Sequence, residues 1–179
     1  LVCTYYSAIC GGRTCRGTEL FPDASPLLTG VTCEHCREAP LYRWEKTLQL
    51  SRFQSRLQNF LRGKGAGTLN WKSWKLVHDG ERLPLFCISD KSTSYSLTGL
   101  DLRNIWGGDL LPSPIVEIEL QDNRVLIRGS GHGHGVGLCQ WGARGQSAQG
   151  KDFREILSFY YPGVQIVPAY DRTRLITGA

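Results

Sequence analysis

Apolar residues recur along this chain with two different periods, and the change of period divides it into segments. Residues 2–9 are rich in β-branched and aromatic side chains and predict a strand. Between residues 42 and 61 the apolar positions are Trp44, Leu48, Phe53, Leu57, Phe60 and Leu61, with arginine, lysine and glutamine among them. That spacing is close to helical and predicts an amphipathic helix ended by Gly63, Gly65 and Gly67. Beyond it the period shortens. Residues 74–77 and 83–89 predict two strands around an Asp79–Gly80 turn, and residues 92–97 a third. Thr98 and Asp101 form a capping arrangement that opens a short helix, which Gly107 and Gly108 stop. In residues 115–121, Val116, Ile118 and Leu120 alternate with Glu117, Glu119 and Gln121; residues 125–128 continue the alternation across Asp122 and Asn123. That pattern predicts a hairpin. Asp152 caps a last helix with Glu155 at its third position, Phe153, Ile156, Leu157 and Tyr160 face inward, and Pro162–Gly163 ends it.

Two stretches have no periodic apolar pattern. Residues 10–40 hold Gly11–Gly12, several prolines and four cysteines, and residues 129–141 hold alternating glycines and histidines. Together the elements predict an α+β fold: a mixed or antiparallel sheet with three or four helices and a cysteine-clamped N-terminal loop. One domain spans residues 1–179.

Composition narrows the function classes. A chain of 179 residues that is 41% hydrophobic and 21% charged reads as folded, with no apolar run long enough for a bilayer and no visible signal peptide. It begins at Leu1 and has no methionine, so a processed product or a piece of a longer protein is expected. The net charge of +5 is mild and its basic residues are scattered. Loose attraction to an anionic polymer fits this distribution, and a nucleic-acid groove does not.

Seven cysteines are unusual for this length, and the odd total leaves at least one thiol unpaired or acting as a ligand. Cys10, Cys15, Cys33 and Cys36 form C-x4-C-x17-C-x2-C. The C-x2-C spacing favours a structural zinc ion held by these four, because two thiolates in a tight turn can meet one tetrahedral centre. His35 offers a substitute ligand. The rival is a pair of disulfides, which export would favour. Either way the role is structural, since four protein ligands leave no open position. Residues 10–40 have too few apolar side chains to hold themselves in place.

The glycine–histidine segment is the candidate contact surface. Its glycines admit close backbone approach, while His132, His134 and Gln140 donate or accept hydrogen bonds. Trp141, Tyr160 and Tyr161 follow, and aromatic faces with polar tips suit sugar rings, although for Tyr160 core packing is the better reading. Three other readings compete: a metal on His132 and His134, which lacks a third ligand nearby; His134 pinning the loop to backbone; and Cys139 as a nucleophile, for which no lowered pKa is evident.

Residues 129–143, GSGHGHGVGLCQWGA, and residues 155–163, EILSFYYPG, resemble the SpoIID/LytB family of cell-envelope proteins. The family signature has the form G-x-G-x-G-H-G-V-G-[LM]-[SC]-Q-[WY]-G-A, with an E-I-L-x-x-Y-Y-P-G ending. The likeness extends upstream through LTGLDLR at 97–103, LPS at 111–113, YYSAICGGRT at 5–14, and GVTCEHC at 30–36 with YRW at 42–44. It thus covers essentially the whole chain. The resemblance implies work on peptidoglycan: sporulation members are lytic transglycosylases acting on glycan strands stripped of stem peptides, and LytB-like members are amidase enhancers. Such cleavage needs one carboxyl group to protonate the glycosidic oxygen while the sugar's own 6-hydroxyl closes an anhydro ring.

Two departures qualify that implication. The family's acid is a glutamate in an A-x-E-M-P-like segment before the Y-H-S-T strand, and none of the glutamates here sits in such a context. Ser7 stands where that strand has histidine, and Cys15 is the expected stand-in if that histidine is a metal ligand. The resemblance therefore implies a C-terminal, glycan-contacting portion with His132, His134, Gln140, Trp141 and Tyr161 at the substrate. It also implies a place in the cell envelope after export, and a cell-wall amidase among the partners. Two rivals belong to other classes: a non-catalytic wall-binding or amidase-activating module, and a metal-dependent hydrolase using His132 and His134.

Overall fold

A computed structural model describes residues 3–77 and 83–167. Among them run β1 (Tyr6–Ser7), α1 (Gly17–Leu20), β2 (Trp44–Gln49), α2 (Leu50–Arg62), β3 (Asn70–Val77), β4 (Leu85–Ser89) and β5 (Ser94–Leu97). There follow α3 (Gly99–Trp106), β6 (Val116–Gln121), β7 (Arg124–Gly129), β8 (Leu138–Cys139), α4 (Gln140–Ala148) and α5 (Phe153–Tyr160). The architecture is α+β, with antiparallel sheets β2-β7-β6 and β3-β4-β5 and a short parallel pair β1-β8. The Asp79–Gly80 turn lies outside the described residues.

Two hydrophobic cores organise these elements. The larger gathers Phe53, Leu57 and Leu61 of α2 with Phe86, Ile88, Leu102, Trp106, Val125 and Ile127. Phe53 stacks on Trp106 at 4.8 Å and meets Phe86 edge-on at 5.9 Å. The smaller contains Ile9, Leu28, Val136, Tyr160 and Tyr161 together with Cys10, Cys33, Cys36 and Cys139. The polypeptide passes from the first core to the second at the end of β7, where the glycine–histidine segment begins.

The expected helix over 42–61 is half strand. Trp44 and Leu48 are four apart, a separation that satisfies a helical face and one face of a strand equally well. Tertiary pairing decides between them: all six residues of β2 pair with β7, from Trp44 opposite Gly129 to Gln49 opposite Arg124. A Cβ at Gly129 would lie within 2.1 Å of the Trp44 ring, so only glycine lets the indole cross that strand. The strand expected over 2–9 shrinks to Tyr6–Ser7, although Ile9 still makes an antiparallel bridge to His132.

Local signals were followed closely elsewhere. Both expected capping boxes form: Asp101 N–H donates to Thr98 Oγ1 at 3.1 Å, and Glu155 N–H donates to Asp152 Oδ1 at 2.8 Å. The β6–β7 hairpin turns through Asp122, which adopts φ 46°. On α5, however, Phe153 is 56% exposed rather than inward-facing. It occupies the first turn, beyond the edge of the smaller core, with the Arg154 guanidinium 4.7 Å over its ring. Among the described residues, no helix is long and apolar enough to cross a membrane.

Candidate functional site

Three segments far apart in sequence deliver four buried thiols to one point. Cys10 opens the Gly11–Gly12 turn, Cys33 and Cys36 come from the following loop, and Cys139 ends β8 as the N-cap of α4. Their sulfurs all lie within 4.8 Å of one another, with Cys10 and Cys36 at 3.5 Å. Four thiolates on one tetrahedral ion with bonds of ~2.3 Å sit roughly 3.8 Å apart, whereas a disulfide needs about 2.05 Å. The cluster therefore has the size of a single-ion site.

The surroundings fit thiolate ligands too. Cys10 N–H and Gly142 N–H each donate to Cys139 Sγ at 3.3 Å, and the Tyr160 hydroxyl lies 3.1 Å from Cys33 Sγ. Hydrogen bonds from Cys10, then Cys139 and Cys33, push the Cys36 thiol far below its ordinary value. Cys10 and then Cys139 lower Cys33 to about 7. Cys10 is raised by its bonds to Cys139, Cys33 and Cys36 and by burial. At Cys139 the bond with Cys10 acts downward, but those with Cys33 and Cys36 prevail together with burial, and its thiol is raised. Cys33 and Cys36 are thus biased toward thiolate and Cys10 and Cys139 toward thiol, a donor set that a soft divalent ion completes.

Cys15 was expected to be the fourth ligand, and the structure brings Cys139 to that place instead. After the Gly11–Gly12 reversal the chain pairs with the glycine–histidine segment, so Cys15 N–H donates to Gly135 O at 2.7 Å and Cys15 bridges to Val136. Burial, then Glu19, raises its thiol to about 12. Spacing within one segment could not reveal Cys139, 103 residues beyond Cys36. The odd cysteine count was the available signal.

The glycine–histidine segment is stitched to the N-terminal strand rather than hanging free. Gly131 N–H donates to Leu41 O, Ile9 and His132 exchange both backbone bonds, and Gly133 N–H donates to Pro112 O. Gly135 N–H reaches Ser7 Oγ at 2.7 Å, and Leu138 N–H reaches Tyr5 O at 3.0 Å. Trp44 Nε1–H donates to Gly131 O at 3.0 Å. Gly137, at φ 73°, shows why glycine is required: a Cβ there would fall 2.0 Å from Tyr5 O.

These bonds separate the expected contact residues. His132 and Gln140 are exposed, and Trp141 is partly so, with Arg144 4.9 Å over its ring. His134 is half-buried, edge-on to Tyr5 and Phe21, and its Nδ1 accepts from Val136 N–H at 3.1 Å. That acceptor role assigns the ring proton to Nε2. Burial chiefly lowers the His134 pKa, so the ring is neutral near pH 7. Tyr161 is buried and donates to Tyr5 O at 2.7 Å. His134 and Tyr161 therefore brace the segment, while His132, Gln140 and Trp141 face outward.

A groove of about 1170 Å³ opens beside the start of this segment. Gly11, Gly129 and Ser130 line it, and its charged groups are Arg13, Arg16, Glu19, Arg43, Glu117 and Arg128. None of the five expected contact residues is among its lining. The arginines come from three separated stretches, so in sequence they read only as scattered basic positions.

No protein-family model matches the chain. It is 35% identical over 176 residues to an uncharacterized protein of Brachyspira hyodysenteriae, covering 93% of this chain and 44% of that protein. Over 159 residues it is 29% identical to stage II sporulation protein D of Bacillus subtilis, covering 88% of this chain and 43% of that protein. Over 76 residues it is 34% identical to the amidase enhancer of Bacillus subtilis, covering 42% of this chain and 11% of that protein. The chain spans less than half the length of these curated relatives.

Proposed function

This chain is SpoIID/LytB-like, and on that premise we propose that it holds peptidoglycan glycan in the bacterial cell envelope as part of a lytic transglycosylase. The observation that carries the reading is the braced loop of residues 129–139, whose first two residues wall the groove while His132 stands exposed next to them. His132, Gln140 and Trp141 supply hydrogen bonds and an aromatic face to the saccharide; His134 and Tyr161 keep those groups in register. Glycan cleavage requires a carboxylic acid at the glycosidic oxygen. No A-x-E-M-P-like glutamate occurs among these 179 residues. That observation favours a second reading, in which the chain holds the wall polymer without cutting it and serves a partner amidase.

Zinc is the metal we assign to Cys10, Cys33, Cys36 and Cys139. Four thiolates fill its tetrahedral shell and leave no open position for substrate, so its contribution is structural. Bound metal would also keep four closely spaced thiols from oxidising outside the cytoplasm.

Purified glycan strands test both readings. The 179-residue chain should co-sediment with them and release no anhydro-sugar ends. Release by this chain alone would overturn the binding-only reading, and failure to bind would overturn the glycan reading itself. A metal-dependent hydrolase on His132 and His134 is tested by metal content: His134→Ala should leave it unchanged, while the cysteine substitutions abolish it.

A further inference from the structure

The groove is lined by four arginines but only two glutamates, and these cations differ in how they are engaged. Arg128 is already committed, 3.0 Å from both Glu45 and Glu119. Arg43 is held by its inner edge: Nη1 donates to Gly11 O at 2.5 Å and to Tyr42 O at 2.9 Å, with the guanidinium 4.3 Å over the Tyr42 ring. The Gly11–Gly12 turn makes room for the Tyr42 ring beneath it, since a Cβ on Gly12 would come 2.9 Å from the Tyr42 hydroxyl. Anchored in this way, Arg43 presents its Nε–H and Nη2–H edge, the pair of donors that matches a carboxylate bidentately. Arg16, also exposed in the lining, supplies a second cation. Elsewhere in the lining Leu20, Leu85 and Ile115 offer apolar surface, and Thr18, Thr29 and Ser130 offer hydroxyls.

Hydroxyls, apolar patches and sparse fixed cations together describe a ligand made of sugar rings with an occasional anion. A dense polyphosphate would be repelled by Glu19 and Glu117 and would have little use for the apolar surface. The geometry points to this groove as a binding site for a glycan whose rings carry carboxylates, with Arg43 and Arg16 each available to pair with one. This inference rests on the glycan reading above and adds the acidic substituent as the feature recognised. The carboxylate comes either from the lactyl ether of a muramic residue or from a uronic acid.

Equilibrium titrations of the zinc-loaded chain with four polymers test it. These are peptide-free muramyl glycan strands, the same strands with carboxyls converted to methylamides, polygalacturonate, and poly(glycerol phosphate). A charge-assisted bidentate contact corresponds to about a tenfold change in affinity. Acidic muramyl strands should therefore bind about tenfold more tightly than amidated ones, and Arg43→Gln and Arg16→Gln should each remove much of that difference. Arg16→Gln guards against loss of fold at Arg43, and unchanged zinc content verifies both variants. Arginine-dependent binding of polygalacturonate would support the uronate source. Equal affinity for acidic and amidated strands would overturn the inference while leaving the glycan reading intact. Arginine-dependent binding of poly(glycerol phosphate) alone would overturn it in favour of phosphate. Absence of binding to every saccharide would take the glycan reading down as well.

Discussion

Helix α4 carries Gly142 on the face that meets the cysteine cluster, and replacing it by alanine sets two effects against each other. In a helix interior the change should stabilise by up to ~1 kcal/mol through backbone entropy. The site forbids the methyl group. An added Cβ would lie 2.1 Å from the Tyr160 hydroxyl and 2.6 Å from Cys33 Sγ, against roughly 3.4 Å for ordinary contact. The hydroxyl would have to retreat by about 1.3 Å and the sulfur by about 0.8 Å. Neither has room, because Tyr160 is 2% exposed and packs edge-on against Phe159 at 4.9 Å, and Cys33 is fully buried. Overpacking of this kind costs about 1–3 kcal/mol, and displacing a metal ligand adds to it. We expect Gly142→Ala to destabilise by about 2 kcal/mol, lowering the melting temperature by roughly 4–8 °C for a domain of this size, and to weaken metal binding. Calorimetry with and without a chelator measures both. The double variant Gly142→Ala with Tyr160→Phe, which deletes the nearest atom, should recover much of the loss. A single variant that melts higher than the parent would refute this packing of α4 on the cluster.

Other perturbations separate the parts of the site. Cys139→Ser should abolish stoichiometric zinc while Cys15→Ser leaves it in place, read by elemental analysis; the reverse result would restore the C-x4-C ligand set. Zinc binding should release protons, because burial and the neighbouring sulfurs hold Cys10 and Cys139 as thiols in the free cluster; titration calorimetry in buffers of different ionisation heat detects the release, and none at pH 7 would refute it. Burial depresses the His134 pKa, so the unfolded chain binds the extra proton first. Stability should then fall as pH drops through the unfolded value near 6.5, and His134→Gln should remove that part of the slope in denaturant melts.

Elements governed by neighbours in sequence were legible from it. The Thr98 and Asp152 boxes and the Asp122 turn depend on residues two to three apart, and each formed where the residues indicated. Trp44 and Leu48 misled because a separation of four fits both periods, and only the partner strand β7 distinguishes them. The cysteine cluster was legible in kind but not in membership. Cys10, Cys33 and Cys36 all lie within the N-terminal 10–40 stretch whose spacing could be read, whereas Cys139 arrives through the β1–β8 pairing, which no local pattern encodes. The groove was not legible at all, since Arg16, Arg43 and Arg128 come from stretches that only the tertiary fold brings to one lining.

That same turn explains why cluster and groove belong to one device. Cys10 immediately precedes Gly11, and Gly11 approaches so closely that a Cβ on it would lie 2.6 Å from Gly131 N. The Gly11 carbonyl in turn anchors Arg43, which lines the groove. At the far end of the loop Cys139 is both a member of the cluster and the N-cap of α4, the helix whose first turn carries Gln140 and Trp141. Fixing four sulfurs around one ion therefore fixes the turn that aims Arg43 and the helix start that aims Trp141. Residues 129–139 contain few apolar side chains to order them by burial, so ordering must come from hydrogen bonds and coordination. A chelator that never touches the groove should therefore weaken saccharide binding together with thermal stability, because the positions of the contact groups are set at the sulfurs.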